Sequence, residues 1–317
     1  MTVLHNIISN KELKNRFFSK HHSRITVSFY KYFYITDPKL FRDNLYYNLN
    51  KLKVLGRIYV SHEGINAQVS IPDHLYNNMQ YFICNLDKNL NDLYMNVAVD
   101  NQNDSFWVLR IKVRDRLVAD GLKDNILNIS NTGIYLEANE VNEMLDDPEV
   151  IFVDMRNNYE YKIGHFEKAI EIPTNTFRDQ LPQSTEILKN KKNKKIVLYC
   201  TGGIRCEKAS AWMIYKGFKK VYQVRGGIIK YVNCVREQGL PNRFKGKIFV
   251  FDARMSEKVS EEVLSFCHQC GDTSDNYINC ANDHCHLLLI QCVNCVKKFM
   301  NCCSLVCKNK ILNNYNI

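Results

Sequence analysis

The chain has 317 residues, 45% of them hydrophobic, and a formal net charge of +10, which is enough material for two or three domains with full cores. No apolar run approaches the length of a bilayer span, and Met1 to Arg24 mixes Asn, Lys, His and Ser without a signal-peptide core, so membrane and exported proteins are excluded as expectations and a cytoplasmic location is expected. Thirteen cysteines in that setting point to thiols or metal ligands rather than structural disulfides.

After an N-terminal extension (1–23), Arg24 to Phe33 alternates like a strand, and Pro38 to Lys53 carries Leu40, Phe41, Leu45 and Leu49 at helical spacing. Gly56–Val60 and Ile65–Ser70 read as strands divided by Ser61-His62-Glu63-Gly64. A second helix is expected from Pro72-Asp73, capped by the Asp, to about Leu86, and Tyr94–Val99 makes a fourth strand. This βαββαβ order predicts a ferredoxin-like α+β domain over 24–121. His62 or Glu63 is a ligand candidate, although a turn that uses the backbone freedom of Gly64 is the simpler account. Phe106 to Arg116 alternates apolar with basic residues, so Arg110, Lys112, Arg114 and Arg116 project from one strand face, either to follow a phosphate backbone or simply to meet solvent.

A linker (122–145) leads to a central segment (146–240). The apolar run Lys195–Tyr199 suits a buried parallel strand, and a helix begins near Glu207 with Ala209, Trp212 and Met213 at its spacing. Between them lies Cys200-Thr201-Gly202-Gly203-Ile204-Arg205-Cys206. Gly202 and Gly203 let backbone N–H groups converge as an anion-binding nest at a helix N-terminus, where a thiol becomes a reactive thiolate. Cys200 is therefore the candidate nucleophile, against the alternative of a small buried hydrophobe. Arg205 either turns inward to stabilise the anion or is a surface arginine. Cys206 is either a resolving thiol or core packing. Asp154 and His165 are read as scaffold.

The strand ending in Asp154-x-Arg156, the Gly164-His165 pair before Ala169-x-x-Ile172-Pro173, the cysteine loop and the turn Arg225-Gly226-Gly227 together resemble a rhodanese-like α/β domain with a parallel sheet. In that family the cysteine accepts sulfur as a persulfide. Cysteine phosphatases on the same fold use a longer loop, whereas Cys200 to Arg205 spans six residues, so phosphatase is the weaker alternative. The charge of this segment is distinctive: residues 151–248 hold 20 Lys and Arg against 8 Asp and Glu, and the flanking segments are close to neutral. A basic surface around a reactive thiol favours a polyanionic partner, nucleic acid first.

Cysteines crowd the C-terminal segment (241–317). Cys267-x-x-Cys270 and Cys292-x-x-Cys295 have the spacing at which two thiolates grip one tetrahedral ion, and Cys280 with Cys285 is a looser pair. One or two structural zinc ions are expected; an iron–sulfur cluster or redox thiols are the alternatives. Spacing does not assign which four share an ion.

Along nearly the whole chain, Ser61-His62-Glu63-Gly64-Ile65-Asn66, Arg114-Asp115-Arg116-Leu117-Val118-Ala119-Asp120-Gly121, Asn131-Thr132-Gly133, Cys200 to Ser210, Cys267-His268-Gln269-Cys270-Gly271 and Cys285-His286-Leu287-Leu288 resemble the bacterial rhodanese-related tRNA uridine hydroxylases. The resemblance implies oxygen-dependent hydroxylation of the wobble uridine to 5-hydroxyuridine, with Cys200 required, molecular oxygen as co-substrate, an unidentified reductant, and the tRNA anticodon region as partner. A plain sulfurtransferase and a zinc-bearing RNA-binding scaffold are the alternatives. No flavin, dinucleotide or iron motif is present, and oligomeric state is not legible.

Overall fold

The computed structural model describes residues 23–100, 105–123 and 129–314, with Glu12 and Leu127 besides. The expected N-terminal extension, Glu12 and Ser23 apart, lies outside the described residues.

The N-terminal sheet comprises β1 (Arg24–Tyr32), β2 (Leu55–Ser61), β3 (Gly64–Pro72), β4 (Asn96–Val97) and β5 (Leu109–Val113), in the order β4-β1-β3-β2-β5. The first four are antiparallel neighbours in the ferredoxin-like arrangement, and β5 adds parallel to β2 at the edge. Strict alternation decides what each face does. Val27, Phe29, Ile58, Val60, Ala67, Val69 and Ile111 form a core with Leu45 and Leu49 of α1 (Pro38–Lys51) and Met79 and Ile83 of α2 (Tyr76–Cys84). The opposite face is polar and aromatic, and it is turned toward the rest of the molecule. Asp73 does not cap α2. It opens a 3₁₀ turn, Asp73–Leu75, whose backbone carbonyl receives the Tyr76 N–H, so the helix needs no side-chain cap there.

The central sheet is built from β6 (Ile134–Leu136), β7 (Val150–Asp154), β9 (Ile170–Glu171), β10 (Lys195–Tyr199) and β11 (Lys220–Val224), in the order β6-β11-β10-β7-β9, every pair parallel. The continuous apolar run of β10 is buried on both faces. Val197 and Tyr199 pack with α3 (Ala138–Asp146) and α7 (Gly227–Gln238), and Ile196 and Leu198 pack with α5 (Phe177–Ile187) and α6 (Ile204–Tyr215). A short helix, α4 (Asn158–Ile163), follows β7 and leads into β8 (Gly164–Phe166).

β12 (Phe244–Phe249) leaves the rhodanese-like domain by pairing antiparallel with β8 and with β13 (Ser256–Lys258). The hairpin β14 (Tyr277–Asn279) and β15 (Leu288–Ile290), with α8 (Val293–Phe299) and α9 (Leu305–Asn314), completes the chain. Tyr277 and Ile290 join Ile163 and Phe249 in a small cluster that seats this segment against α4, and the Tyr277 hydroxyl donates to the Tyr159 carbonyl at 2.9 Å. Among the described residues no helix is long and apolar enough to cross a membrane.

Candidate active site

β10 ends at Tyr199, and the chain curls through Cys200-Thr201-Gly202-Gly203 before α6 starts at Ile204, three residues earlier than the apolar spacing suggests, because Gly203 serves as its N-cap. Gly203 has φ of +102°, and a Cβ there would stand 2.7 Å from the Tyr30 hydroxyl, so both conformation and space require glycine. Its N–H donates to Cys200 Sγ at 3.2 Å. Burial pushes the Cys200 thiol up, but the Cys206 S–H donor, the Arg205 charge and the N–H groups of Cys206 and Arg205 outweigh it and bring the pKa down to about 6. Cys206 moves the other way: burial, and then its bond to the neighbouring thiolate, push it well above the ordinary thiol range. The pair thus holds one thiolate and one S–H donor.

The Arg205 guanidinium does not offer its fork to the thiolate. It grips buried Glu160 in bidentate fashion at 2.6 and 2.9 Å, with Thr201 Oγ1 at 3.3 Å. Burial alone would raise the Glu160 carboxyl, yet Arg205 brings it below the usual carboxylate range. Glu160 also accepts the Asn157 N–H in the capping box of α4. Arg205 therefore acts on Cys200 through its charge while α4 fixes where that charge sits. Sequence reasoning missed Glu160; its signal was the Asn157-x-x-Glu160 spacing of a helix start. Asp154 and Arg156 form a buried ion pair at 2.6 Å, and His165 bonds the Tyr161 carbonyl and stacks on its ring; both lie in the scaffold.

The polar face of the N-terminal sheet roofs this loop. Tyr30 donates to Glu207 at 2.8 Å, and Tyr135 and Gln223 hold the same carboxylate from the other side. Lys208, fully buried, reaches Glu63 at 2.8 Å and Asp120 at 2.5 Å. Glu63 is thereby committed to an ion network between domains, and His62 bonds the Ile35 carbonyl in the turn. Neither lines the cavity above Cys200.

Between roof and loop lies a cavity of about 760 Å³ with Cys200, Thr201, Gly202 and Arg205 on one wall and Ser28, Tyr59, Gln68 and Asn96 on the other. Phe251 and Arg178 reach it from the C-terminal segment and from α5. Arg57, in this cavity, is the register partner of Arg110 on β5, and Tyr59 that of Lys112. Arg110, Lys112 and Arg114 are exposed, so the cavity opens beside a row of cations. Arg116 leaves the row: it turns to Asp120 and the Leu122 carbonyl.

The C-terminal cysteines sort into two sets, Cys267, Cys270, Cys292, Cys295 and Cys280, Cys285, Cys303, Cys307, the sulfurs of each set lying within 4.8 Å of one another. Contacts of 3.5 Å for Cys270–Cys292, 3.7 Å for Cys285–Cys303 and 3.6 Å for Cys303–Cys307 match the roughly 3.8 Å edge of a tetrahedron with zinc–sulfur bonds near 2.3 Å. Asn282 Nδ2 donates to Cys307 and the Cys303 N–H to Cys280, the outer-shell support that thiolate ligands receive. Each set can hold a metal ion. The sets interleave along the chain, so Cys280 and Cys285 belong with Cys303 and Cys307 and not with the two Cys-x-x-Cys pairs.

Three family models match in succession: the UPF0176 acylphosphatase like domain over residues 24–117, the rhodanese-like domain over 137–234 and the rhodanase C-terminal region over 245–308. The tRNA uridine(34) hydroxylase of Erwinia tasmaniensis is 58% identical over 98% of this chain and 89% of its own length. That of Buchnera aphidicola from Acyrthosiphon pisum is 56% identical over 98% of this chain and 95% of its own. With all three segments matched and the identity extending over nearly the whole length of both chains, the chain belongs to the tRNA uridine(34) hydroxylase family.

Proposed function

We propose that this protein hydroxylates the wobble uridine of tRNA at ring carbon 5, giving 5-hydroxyuridine, with Cys200 as its reactive thiolate. The observation that carries the reading is the 58% identity to a tRNA uridine(34) hydroxylase over 98% of the chain. It is a monooxygenase-like oxidoreductase: one atom of molecular oxygen enters the C5–H bond and the other leaves as water, which takes two electrons and two protons from a reductant outside the chain. Gly202 and Gly203 shape the nest, and Arg205, steadied by Glu160, supplies the positive charge that keeps Cys200 ionised near neutral pH. The anticodon region enters with its backbone along Arg110, Lys112 and Arg114, since an unstacked single-stranded base is what such a cavity can accept. Two zinc ions in the four-cysteine sets brace the C-terminal segment. A cytoplasmic location, where tRNA and reduced thiols coexist, accords with this chemistry.

The six-residue loop and its low-pKa thiol also support a second reading, a sulfurtransferase that carries a persulfide on Cys200. Mass spectrometry of tRNA nucleosides separates the two, using cells that lack any redundant pathway and express the wild type or Cys200→Ala. Loss of 5-hydroxyuridine in the variant is expected. Unchanged levels, together with thiosulfate:cyanide activity of the purified wild type, would replace the first reading with the second.

A further inference from the structure

We infer that Ser28 and Asn96, both on the N-terminal sheet, read the pyrimidine edge of the nucleotide above Cys200 and select uridine over cytidine; this rests on the tRNA-modifying reading above. The two residues are cross-strand partners on β1 and β4, which brings their side chains together on one face. Ser28 Oγ and Asn96 Nδ2 each lie 3.8 Å from where a Cβ on Gly202 would stand, beside the cysteine loop, and both residues line the cavity that contains Cys200. Asn96 is only 4% exposed. Its Nδ2 donates to the Gly226 carbonyl at 3.2 Å and leans on that of Gly202 at 3.5 Å, which fixes the orientation of the amide. What is left over is a buried Asn96 Oδ1 and a buried Ser28 Oγ, neither with a hydrogen-bond partner.

Buried orphans in a native fold call for an explanation, and a ligand is one. An unpaired acceptor fits N3–H of uracil. Cytosine presents a lone pair at that position, setting acceptor against acceptor. The Ser28 hydroxyl can rotate to donate to the adjacent uracil carbonyl. A cavity of about 760 Å³ holds one nucleotide taken out of its stack and no duplex. Arg57 and Arg178, which line the same cavity and have no ion-pair partner among the described residues, are placed for the flanking phosphates. Positioning by phosphate and selection by base edge are thus divided between different side chains.

The test is fluorescence anisotropy with anticodon stem-loop RNAs carrying uridine or cytidine at the wobble position, bound to full-length Cys200→Ala protein so that no turnover intervenes. The uridine loop should bind about tenfold more tightly, the value of one well-made hydrogen bond to a buried group. Adding Asn96→Ser should bring the ratio toward one while leaving affinity for the cytidine loop largely unchanged, whereas Ser28→Ala, which removes a hydroxyl able to donate to a uracil carbonyl or accept from the cytosine amine, should weaken both loops. Arg57→Gln and Arg178→Gln should weaken both loops equally and flatten the salt dependence. Alkylation of Cys200 in the Ser28→Ala and Asn96→Ser single variants, which keep the thiol, reports that the loop is intact. If the uridine loop binds and is hydroxylated by the wild type but Asn96→Ser leaves the ratio unchanged, or Ser28→Ala leaves both affinities unchanged, this inference alone falls. If neither loop binds and 5-hydroxyuridine survives Cys200→Ala in cells, the proposed function falls and takes this inference with it.

Discussion

Cys206→Ala is the sharpest probe of how the loop makes a thiolate. Of the influences that lower the Cys200 pKa from an ordinary 9.0 to about 6, the Cys206 S–H donor is the largest. The full depression corresponds to about 4 kcal/mol of preference for the charged form. A hydrogen bond to a charged group contributes roughly 1.5–3 kcal/mol of that, so deleting it should raise the Cys200 pKa by about one to two units. The sign is fixed by the direction of the shift: a depressed thiol is ionised above its own pKa, so the variant's profile moves to higher pH. At pH 7 the thiolate fraction would fall from about 90% to between about 50% and 10%. The assay is the rate of iodoacetamide alkylation at Cys200 across pH 5 to 9, quantified on the Cys200 peptide by mass spectrometry so that the other twelve cysteines do not contribute. Cys206→Ser keeps a donor at the same position and should hold the midpoint near that of the wild type. If Cys206→Ala leaves the midpoint where it was, or the serine variant shifts as far as the alanine one, the S–H donor is not what ionises Cys200.

Three further perturbations test the surrounding structure. Gly203→Ala forces a side chain into a φ of +102° and against the Tyr30 hydroxyl; roughly 1–3 kcal/mol of stability should be lost, with a Cys200 alkylation profile displaced upward, and an unaltered profile would show that the loop keeps its N–H groups on Cys200 despite the added methyl. Lys208→Met removes the cation shared by Glu63 and Asp120 in the domain junction and leaves Asp120 paired with Arg116; urea denaturation should report a loss of roughly 3 kcal/mol, and a loss below about 1 kcal/mol would mean that Arg116 and water compensate both carboxylates. Native mass spectrometry should find two zinc ions per chain, and Cys270→Ala should lower occupancy of the second set too, because the sets interleave; one ion retained at full affinity in that variant would show the sites to be independent.

Local periodicity made much of the fold legible. β10 occupies the residues its apolar run predicts, and the four antiparallel strands follow from alternation and turn residues. Pairings that depend on distant partners were not legible. Nothing in Leu109–Val113 says that it will lie parallel to β2, and nothing in Glu160 says that it will meet Arg205. The ion network is instructive in this respect. Glu63, Asp120 and Lys208 each fall inside one of the sequence words that carry the family resemblance, so their importance could be read, but single-sequence charge carries no information about which cation meets which carboxylate across 145 residues. The cysteines behaved likewise. Spacing found the ligand pairs, whereas pairing of pairs is set by the hairpin that brings Cys280 and Cys285 against the start of α9.

The roof and the thiol are not independent parts, because both are fastened to the first turns of α6. The N–H groups that ionise Cys200 come from Gly203, Arg205 and Cys206. Of the next two residues, Glu207 accepts from Tyr30 and Lys208 donates to Glu63 and Asp120, the bonds that dock the N-terminal sheet. A carboxylate one residue past the thiol pair ought to oppose ionisation, since its charge repels a thiolate. Two tyrosine hydroxyls and the Gln223 amide converge on Glu207 and spread that charge over donors. One of the two hydroxyls, Tyr30, belongs to the roof itself. Displacing the N-terminal sheet would open the cavity, let water screen the Glu207 charge and relieve the burial that pushes the Cys200 thiol up, so the thiolate would persist in an open loop. With the sheet in place the thiolate instead faces an enclosed space of about 760 Å³ whose far wall is built from Ser28, Tyr59, Gln68 and Asn96.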